Sequence, residues 1–203
     1  KSASQLKAGN YYFHDEKTYW DIIQKLKRGE VRLIKITFPE GTRASKVIQI
    51  LNEKMNLDSD KLSSLINNPE FCLECGIQAE SLEGYLFPDT YYFDAGLTEE
   101  PVLKLLTAQF KRIYTESFHK SADSLGMTKH EVVTLASIIE GEAVIPEERP
   151  IISAIYHNRL KRRMQLQADP TIQYIVPDGP RRLLNKDLEI DSPYNTYMYF
   201  GLP

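Results

Sequence analysis

The chain has 203 residues, 42% hydrophobic and 26% charged, enough to bury a real core as one large domain or two small ones. Its net charge of −3 argues against a nucleic-acid binder whose affinity rests on neutralising phosphates. No apolar run approaches the roughly 20 residues of a membrane span, and no signal peptide is recognisable. The chain opens on KSASQLKAG without a Met and closes on GLP. It therefore reads as a piece of a longer protein, and an upstream membrane anchor stays open.

In chain order, Tyr11, Tyr12 and Phe13 read as a short strand. Thr18 starts a helix with Trp20, Ile22, Ile23 and Leu26 apolar and Gly29 as its C-cap. Residues 31–38 (VRLIKITF) alternate apolar and polar, the period of a half-buried strand. A turn at Pro39-Glu40-Gly41 leads into an amphipathic helix over 42–55. A third helix opens at Ser59 or Asp60 and stops at Asn67-Asn68-Pro69. This is a small α+β unit, not a βαβαβ series.

Two cysteines, Cys72 and Cys75, stand in FCLECG. A single CxxC with no second pair and no nearby His is a weak zinc signal, because a structural zinc takes four ligands. Phe71, Leu73 and Ile77 around them suggest ordinary, partly buried thiols.

EGYLFPDTYYF, residues 83–93, places five aromatics around Pro88-Asp89. It reads either as a core strand with a turn or as an aromatic wall with carboxylates, the usual lining of a sugar site. A long helix follows over 101–118. Next comes TKHEVVTLASIIEGEAVIPEE, residues 128–148, the stretch with the most chemical content. Thr128 and Glu131 have the spacing of a capping box. Val132, Val133, Leu135, Ala136, Ile138 and Ile139 make this helix apolar over most of its circumference. It ends in Glu140, Gly141 and Glu142. A carboxylate at the mouth of such a helix either sits solvated at a helix end or has its pKa raised by desolvation, as a general acid near neutral pH needs.

Beyond Pro146 a helix begins near Glu147. Its acidic start and its basic end (Arg159, Lys161, Arg162, Arg163) follow the macrodipole, so the cluster reads as a solvated helix end. LQADPT, the turn-rich PDGPRR and the closing SPYNTYMYFGLP complete the chain.

Several chemistries lack their motifs. There is no Walker A or GxGxxG, no HExxH among His14, His119, His130 and His157, and no GxSxG. What remains is carboxylate chemistry. Glu140 and Glu142 diverge by about 200° on a regular helix, so they cannot both flank one bond. One faces the site and the other faces away. A single acid suffices for a reaction that needs no activated water, as when a sugar's own hydroxyl attacks.

LASIIEGE, ERPIISAIYHNRL, LQADPT, SPYNTY and GLP, with EGYLFPDTY upstream, closely resemble the YceG-like family, the MltG-type endolytic murein transglycosylases. The resemblance runs from about residue 7 to the end of the chain. It implies an α+β protein: a small LysM-like α+β subdomain at 1–80, then a mostly helical catalytic domain with short strands at 81–203, the boundary falling near 78–84. Such proteins are held in the bacterial cytoplasmic membrane by one N-terminal helix, with the catalytic part outside. They cut the MurNAc–GlcNAc β-1,4 bond of nascent peptidoglycan and leave 1,6-anhydro-MurNAc ends. The implied partners are peptidoglycan glycan strands and cell-wall synthesis proteins. No cofactor, metal or nucleic acid is implied.

The resemblance places the catalytic acid on Glu142. Gly141 stands where the family often has Lys, and Ala143 where it often has Thr or Ser, so a hydroxyl that could orient the acid is missing. The family also continues past GLP. Substrate-binding roles are expected for Gln167, Asp169, Thr171, Tyr194, Asn195 and Thr196, with Glu83 and Tyr85 on a facing wall; Asp169-Pro170 and Asn195 can alternatively cap helices or fix turns. The alternative to an enzyme is a non-catalytic peptidoglycan-binding or scaffold protein of the same fold, and a water-using muramidase is a second rival.

Overall fold

The computed structural model describes residues 6, 7, 9, 11, 13, 16–29, 31–177, 179 and 181–203. The chain divides into two compact units, Lys1–Ile113 and Tyr114–Pro203.

The first unit holds helix α1 (Tyr19–Arg28), strand β1 (Leu33–Thr37), helices α2 (Ala44–Met55), α3 (Ser59–Ile66) and α4 (Pro69–Glu74), strand β2 (Thr90–Asp94) and helix α5 (Glu99–Ile113). Thr18 and Asp21 form a capping box at the start of α1, and Gly29 ends it in the left-handed conformation at φ 70°. Tyr12 of the expected first strand lies outside the described residues. Tyr11 and Phe13 carry no strand and instead stack at 6.2 Å.

β1 and β2 pair antiparallel, from Leu33 opposite Asp94 to Thr37 opposite Thr90. The alternation in both strands sets the faces. Ile36 and Phe93 are buried, while Lys35 and Tyr92 face outward with the ammonium 6.0 Å from the ring centroid. Leu51, Leu62, Ile77, Leu82, Tyr85, Leu103 and Leu106 fill the core.

The pairing joins residues on both sides of the 78–84 boundary expected from the sequence. The backbone N–H of Leu82 also donates to the Ile66 carbonyl at 2.9 Å. The division at 113/114 follows from this sheet, which ties EGYLFPDTYYF to the N-terminal elements. α4, absent from the sequence reading, begins at the Pro taken there as a stop. Pro69 occupies its first turn, where a missing N–H costs nothing, and Asn68 Oδ1 accepts from Glu70 N at 2.8 Å and Phe71 N at 3.2 Å. Cys72 and Cys75 are free and buried, and burial pushes both thiols up.

The second unit holds helices α6 (Glu116–Leu125), α7 (Lys129–Glu142), α8 (Arg149–Lys161) and α9 (Asp169–Ile175), with 3-10 turns at Pro146–Glu148 and Asn185–Glu189. The helix expected over 101–118 is two helices, parted where Thr115 turns extended at ψ 174°. The core of this unit is Leu135, Ile138, Tyr156, Leu166 and Ala168, with Met127, Ile139, Ile152, Leu160 and Leu202 packed around it. Among the described residues no helix is long and apolar enough to cross a membrane.

Glu99, at the start of α5, ties two helix starts together. Its carboxylate accepts from the Asp58 N–H at 3.1 Å and meets Lys61 Nζ at 2.9 Å. Lys61 chiefly, then the Glu99 and Asp58 amides, hold its carboxyl down at about 2. A depressed carboxylate stabilises the fold above its unfolded pKa of about 4.3, and that stabilisation is lost as pH falls through the folded value. Glu99→Gln should therefore lower stability at neutral pH, chiefly through the lost carboxylate acceptor of the Asp58 N–H, since the Lys61 side of the pair is open to solvent. The gap from wild type should close as the pH approaches 2, in denaturant unfolding followed across that range.

Candidate active site

α7 is set at its start by the expected box. Thr128 Oγ1 accepts from Glu131 N at 3.2 Å, and Glu131 Oε2 accepts from Thr128 N at 2.7 Å. Its apolar face is narrower than the sequence suggests. Leu135 and Ile138 are buried and Val132, Val133 and Ile139 half-buried, while Ala136 and Ser137 face solvent. At the far end the Ala143 N–H still reaches the Ile139 carbonyl at 2.9 Å, but Ala143 is extended (ψ 126°), so Glu142 is the last helical residue.

The two glutamates part as the helix geometry requires. Glu140 is gripped by the Arg149 guanidinium, with Nε to Oε2 at 3.0 Å and Nη2 to Oε1 at 3.0 Å. This is the fork geometry that makes an Arg–carboxylate pair specific. Glu142 points to a different set. Burial is the main influence pushing its carboxyl above the ordinary carboxylate range, and the charge of Asp169 pushes it the same way; the Tyr156 hydroxyl, donating to it, pulls it back. The residue as a whole remains exposed, so the carboxyl is shielded by its neighbours and still reachable. Tyr156 of α8 is only 5% exposed. Burial, reinforced by Glu142, holds its phenol far above the usual tyrosine range.

Asp169 begins α9 and accepts from the Tyr197 hydroxyl at 2.5 Å. Burial and this bond raise the Tyr197 phenol to about 12. The loop before α9 is stitched from behind by Arg159, whose Nη1 donates to the carbonyls of Gln165 (3.1 Å) and Leu166 (2.8 Å) and to Gln167 Oε1 (3.2 Å). Gln167 is left-handed at φ 49°, a conformation that a non-glycine residue keeps only where its surroundings enforce it. Here the enforcement is visible. Besides Arg159, the Gln167 N–H donates to the Thr196 carbonyl at 3.0 Å and the Ala168 N–H to Thr196 Oγ1 at 3.0 Å.

The remaining residues singled out in the sequence sort by exposure. Gln167 and Asp169 are exposed, Asp169 close enough for its charge to act on Glu142, and Tyr194 is 44% exposed with its ring 5.1 Å from that of Tyr174. Thr171, Asn195 and Thr196 are buried and internally satisfied. Thr171 Oγ1 lies 2.9 Å from Thr196 Oγ1, and Asn195 Nδ2 donates to the carbonyls of Leu188 (2.9 Å) and Ile190 (2.8 Å). They build the loop on which exposed groups stand.

Glu83 and Tyr85 belong to the first unit. Glu83 accepts from the Ala44 N–H at 3.1 and 3.2 Å, supplying the α2 start with the acceptor that its own N-cap residue, Arg43, does not give it. Tyr85 has no exposed surface and packs edge-on to Phe110 at 5.1 Å. The wall expected over residues 83–93 is therefore split: Tyr85 and Phe93 are core, with no ring face of Tyr85 open to a sugar, while Tyr92 faces outward. The sequence reading missed Tyr156, Arg149 and Tyr197, and it took Arg159 for part of a solvated helix end, whereas Arg159 is half-buried and donates to the loop before α9. Tyr156, Arg149 and Arg159 lie inside ERPIISAIYHNRL and Tyr197 closes SPYNTY, so the motifs were visible and the contacts were not.

Among the described residues no cluster of three or more His, Cys, Asp or Glu side chains is placed to hold a metal ion. Fold and site together define an α+β protein that presents one shielded but reachable carboxyl at a helix end. The chain belongs to the YceG-like family, whose model matches residues 1–203. It is 32% identical over 218 residues to an endolytic murein transglycosylase of Bacillus subtilis (strain 168), covering all of this chain and 60% of that protein. It is 28% identical over 234 residues to one of Streptococcus pneumoniae serotype 2, covering all of this chain and 42% of that protein. A crystal structure of a putative yceG-like protein from Listeria monocytogenes superposes with a TM-score of 0.78 at 29% identity, over 98% of this chain and 71% of that one. The chain thus spans about two-fifths to three-fifths of the length of these curated relatives.

The buried hydroxyl pair gives a direct test of the scaffold. Thr196→Val keeps the shape and removes the acceptor for the Ala168 N–H and the partner of Thr171. It should lower stability by about 1–3 kcal/mol in chemical denaturation. A variant as stable as wild type would show that the network does not hold the loop.

Proposed function

We propose that this chain carries the catalytic machinery of an endolytic murein transglycosylase and that Glu142 is its acid. Two lines support the reading: the names of its curated relatives and the environment of one side chain. The observation that carries it is the contrast at the end of α7. Glu140 has a guanidinium; Glu142 has burial, a tyrosine hydroxyl and a second carboxylate, and among the described residues no cation is paired with it. That is how a carboxylic acid is kept protonated toward neutral pH.

The reaction then runs on one group. The Glu142 proton passes to the glycosidic oxygen as the bond to the MurNAc C1 breaks, and positive charge develops on the ring. The C6 hydroxyl of the same MurNAc attacks C1, and its proton goes to the Glu142 carboxylate. A glycan end with a free hydroxyl and a 1,6-anhydro-MurNAc end are formed. No water is consumed and the acid is regenerated, so the step is an elimination-type cleavage, a lyase reaction. Asp169 is the exposed polar group acting on the acid, Gln167 stands exposed two residues before it, and Tyr194 with Tyr174 offers an exposed aromatic platform for a sugar ring. In this reading the chain works outside the bacterial cytoplasmic membrane, attached by an N-terminal helix and acting alongside cell-wall synthesis proteins, as the family resemblance implies.

A water-using muramidase has one observation in its favour: Asp169 is a second carboxylate close enough to act on Glu142. The products separate the two. Mass spectrometry of glycan strands digested by the extracytoplasmic protein should show anhydro ends, and reducing MurNAc ends would establish hydrolysis instead. Glu142→Gln, isosteric and unable to donate a proton, should stay folded and lose cleavage by a factor on the order of 10² or more. A variant that still cuts, or a wild type that binds strands without cutting, would remove Glu142 or the enzyme from the account. Because the acid must be protonated and its pKa is raised, the wild-type rate should fall as pH rises through the Glu142 value, in a profile extending further toward neutral pH than an ordinary glutamate allows.

A further inference from the structure

Gly141 precedes the acid inside a helix, where Ala would be more stable by about 1 kcal/mol. The neighbouring helix supplies a reason for it. A Cβ built on Gly141 would stand 2.8 Å from Pro170 Cβ and 3.0 Å from Pro170 Cγ. The absent side chain lets the start of α9 lie directly against the end of α7. Pro170 follows Asp169, so the same contact fixes where that carboxylate sits. Tyr197 then fixes which way it points, through the 2.5 Å hydrogen bond to Oδ1.

We propose that the Gly141–Pro170 contact is a positioning device: it holds Asp169, oriented by Tyr197, beside the Glu142 carboxyl, and Asp169 is a positioning residue for the acid. This inference rests on reading Glu142 as that acid. The physical effect is repulsion between two carboxylates held close together. When one carries the charge, the other keeps its proton. The opposing influence is the Tyr156 hydroxyl, whose donation favours the ionised form of Glu142. The charged and titratable groups around the pair are few. Tyr156 and Arg159 come from α8, Asp169 from α9 and Tyr197 from the C-terminal loop. Arg159 is occupied with the loop carbonyls and Gln167, and Glu140, on the same helix as Glu142, is held by Arg149. Asp169 is thus the anion acting on Glu142 that has no guanidinium of its own.

The test reads the acid directly. In protein labelled with carbon-13 at its glutamate carboxyls, the Glu142 signal is assigned by its loss in Glu142→Gln and then titrated. Asp169→Asn should move its midpoint to lower pH, and Tyr156→Phe should move it to higher pH. Gly141→Ala should act in the direction of Asp169→Asn, because the added methyl pushes α9 away. Pro170→Gly placed in the Gly141→Ala background should bring the midpoint back toward wild type. The alkaline limb of strand cleavage should follow the same order, with kcat changing more than KM.

If Gly141→Ala does not fold, Asp169→Asn and Pro170→Gly alone carry the test, each lowering the midpoint. An unmoved midpoint in Asp169→Asn overturns the proposal. So does a folded Gly141→Ala that loses stability while the titration stays put. Should the midpoints move as stated while Glu142→Gln still cuts, the positioning stands and the assignment of the catalytic acid falls.

Discussion

A carboxyl stays protonated toward neutral pH only if the fold withdraws water from it and supplies no cation in exchange. Everything around the end of α7 answers to that constraint. Two glutamates two positions apart could both have been neutralised by the basic residues of α8. Instead the guanidinium at the start of α8 grips Glu140 at two points, the bidentate geometry that suits a planar fork. Of the cations at the far end of α8, Arg159 comes near but is taken up by the carbonyls of Gln165 and Leu166 and by Gln167, and the buried polar side chain of α8 that acts on Glu142 is a phenol, which carries no positive charge.

Keeping such a group in place requires a rigid surround, and rigidity here comes from buried polar groups that are fully paired. The loop before α9 has a strained residue, Gln167, between two buried ones, Leu166 and Ala168. Left-handed backbone at a non-glycine position is unfavourable by the order of 1 kcal/mol or more. It persists because Thr196 takes the amides of both Gln167 and Ala168 and Arg159 takes the carbonyls on the near side. Asn195 does the same one step further out, pinning the 3-10 turn at Asn185–Glu189. These are the residue types that line sugar sites in general, and here they serve as structure. A chain with exposed Thr and Asn would bind substrate through them; a chain with them buried uses them to define the shape that other residues present.

How much of this could be seen in the sequence depends on whether a signal is local. The capping box of α7 joins residues three apart, so the spacing announced it and the structure has both reciprocal bonds; at α1 the sequence marked only the start at Thr18, and the structure adds a box with Asp21. The opposition of Glu140 and Glu142 follows from helix period alone. Non-local facts were not legible. Pro69 reads equally as a stop and as a first-turn residue, and only Asn68 capping the amides beyond it decides. Glu83 to Phe93 has the composition of both a core strand and a sugar wall. Its pairing with a strand some fifty residues earlier puts Tyr85 and Phe93 inside and moves the division of the chain to 113/114. Tyr156 and Tyr197 were present in the recognised motifs without roles, and Arg159 only as a solvated helix end, because what they do is set by contacts outside their own local segments.

The departures at Gly141 and Ala143 take on physical meaning once those contacts are in view. Where the resemblance leads one to expect a long cation before the acid, this chain has the smallest residue, and the space is filled by Pro170. A lysine there would have brought positive charge near the acid, so a glycine both admits the neighbouring helix and keeps the surroundings anionic. Where a hydroxyl would follow the acid, there is a methyl, and the backbone turns extended at that residue. The hydroxyl that acts on the Glu142 carboxyl belongs to α8 instead, on a tyrosine that is almost wholly buried. A threonine hydroxyl on the adjacent residue would swing with the chain end it belongs to. A phenol packed among Leu135, Ile138 and Leu166 moves only if the core moves. The influence of that phenol on the acid is therefore set by the core of its own unit, and is as steady as that core.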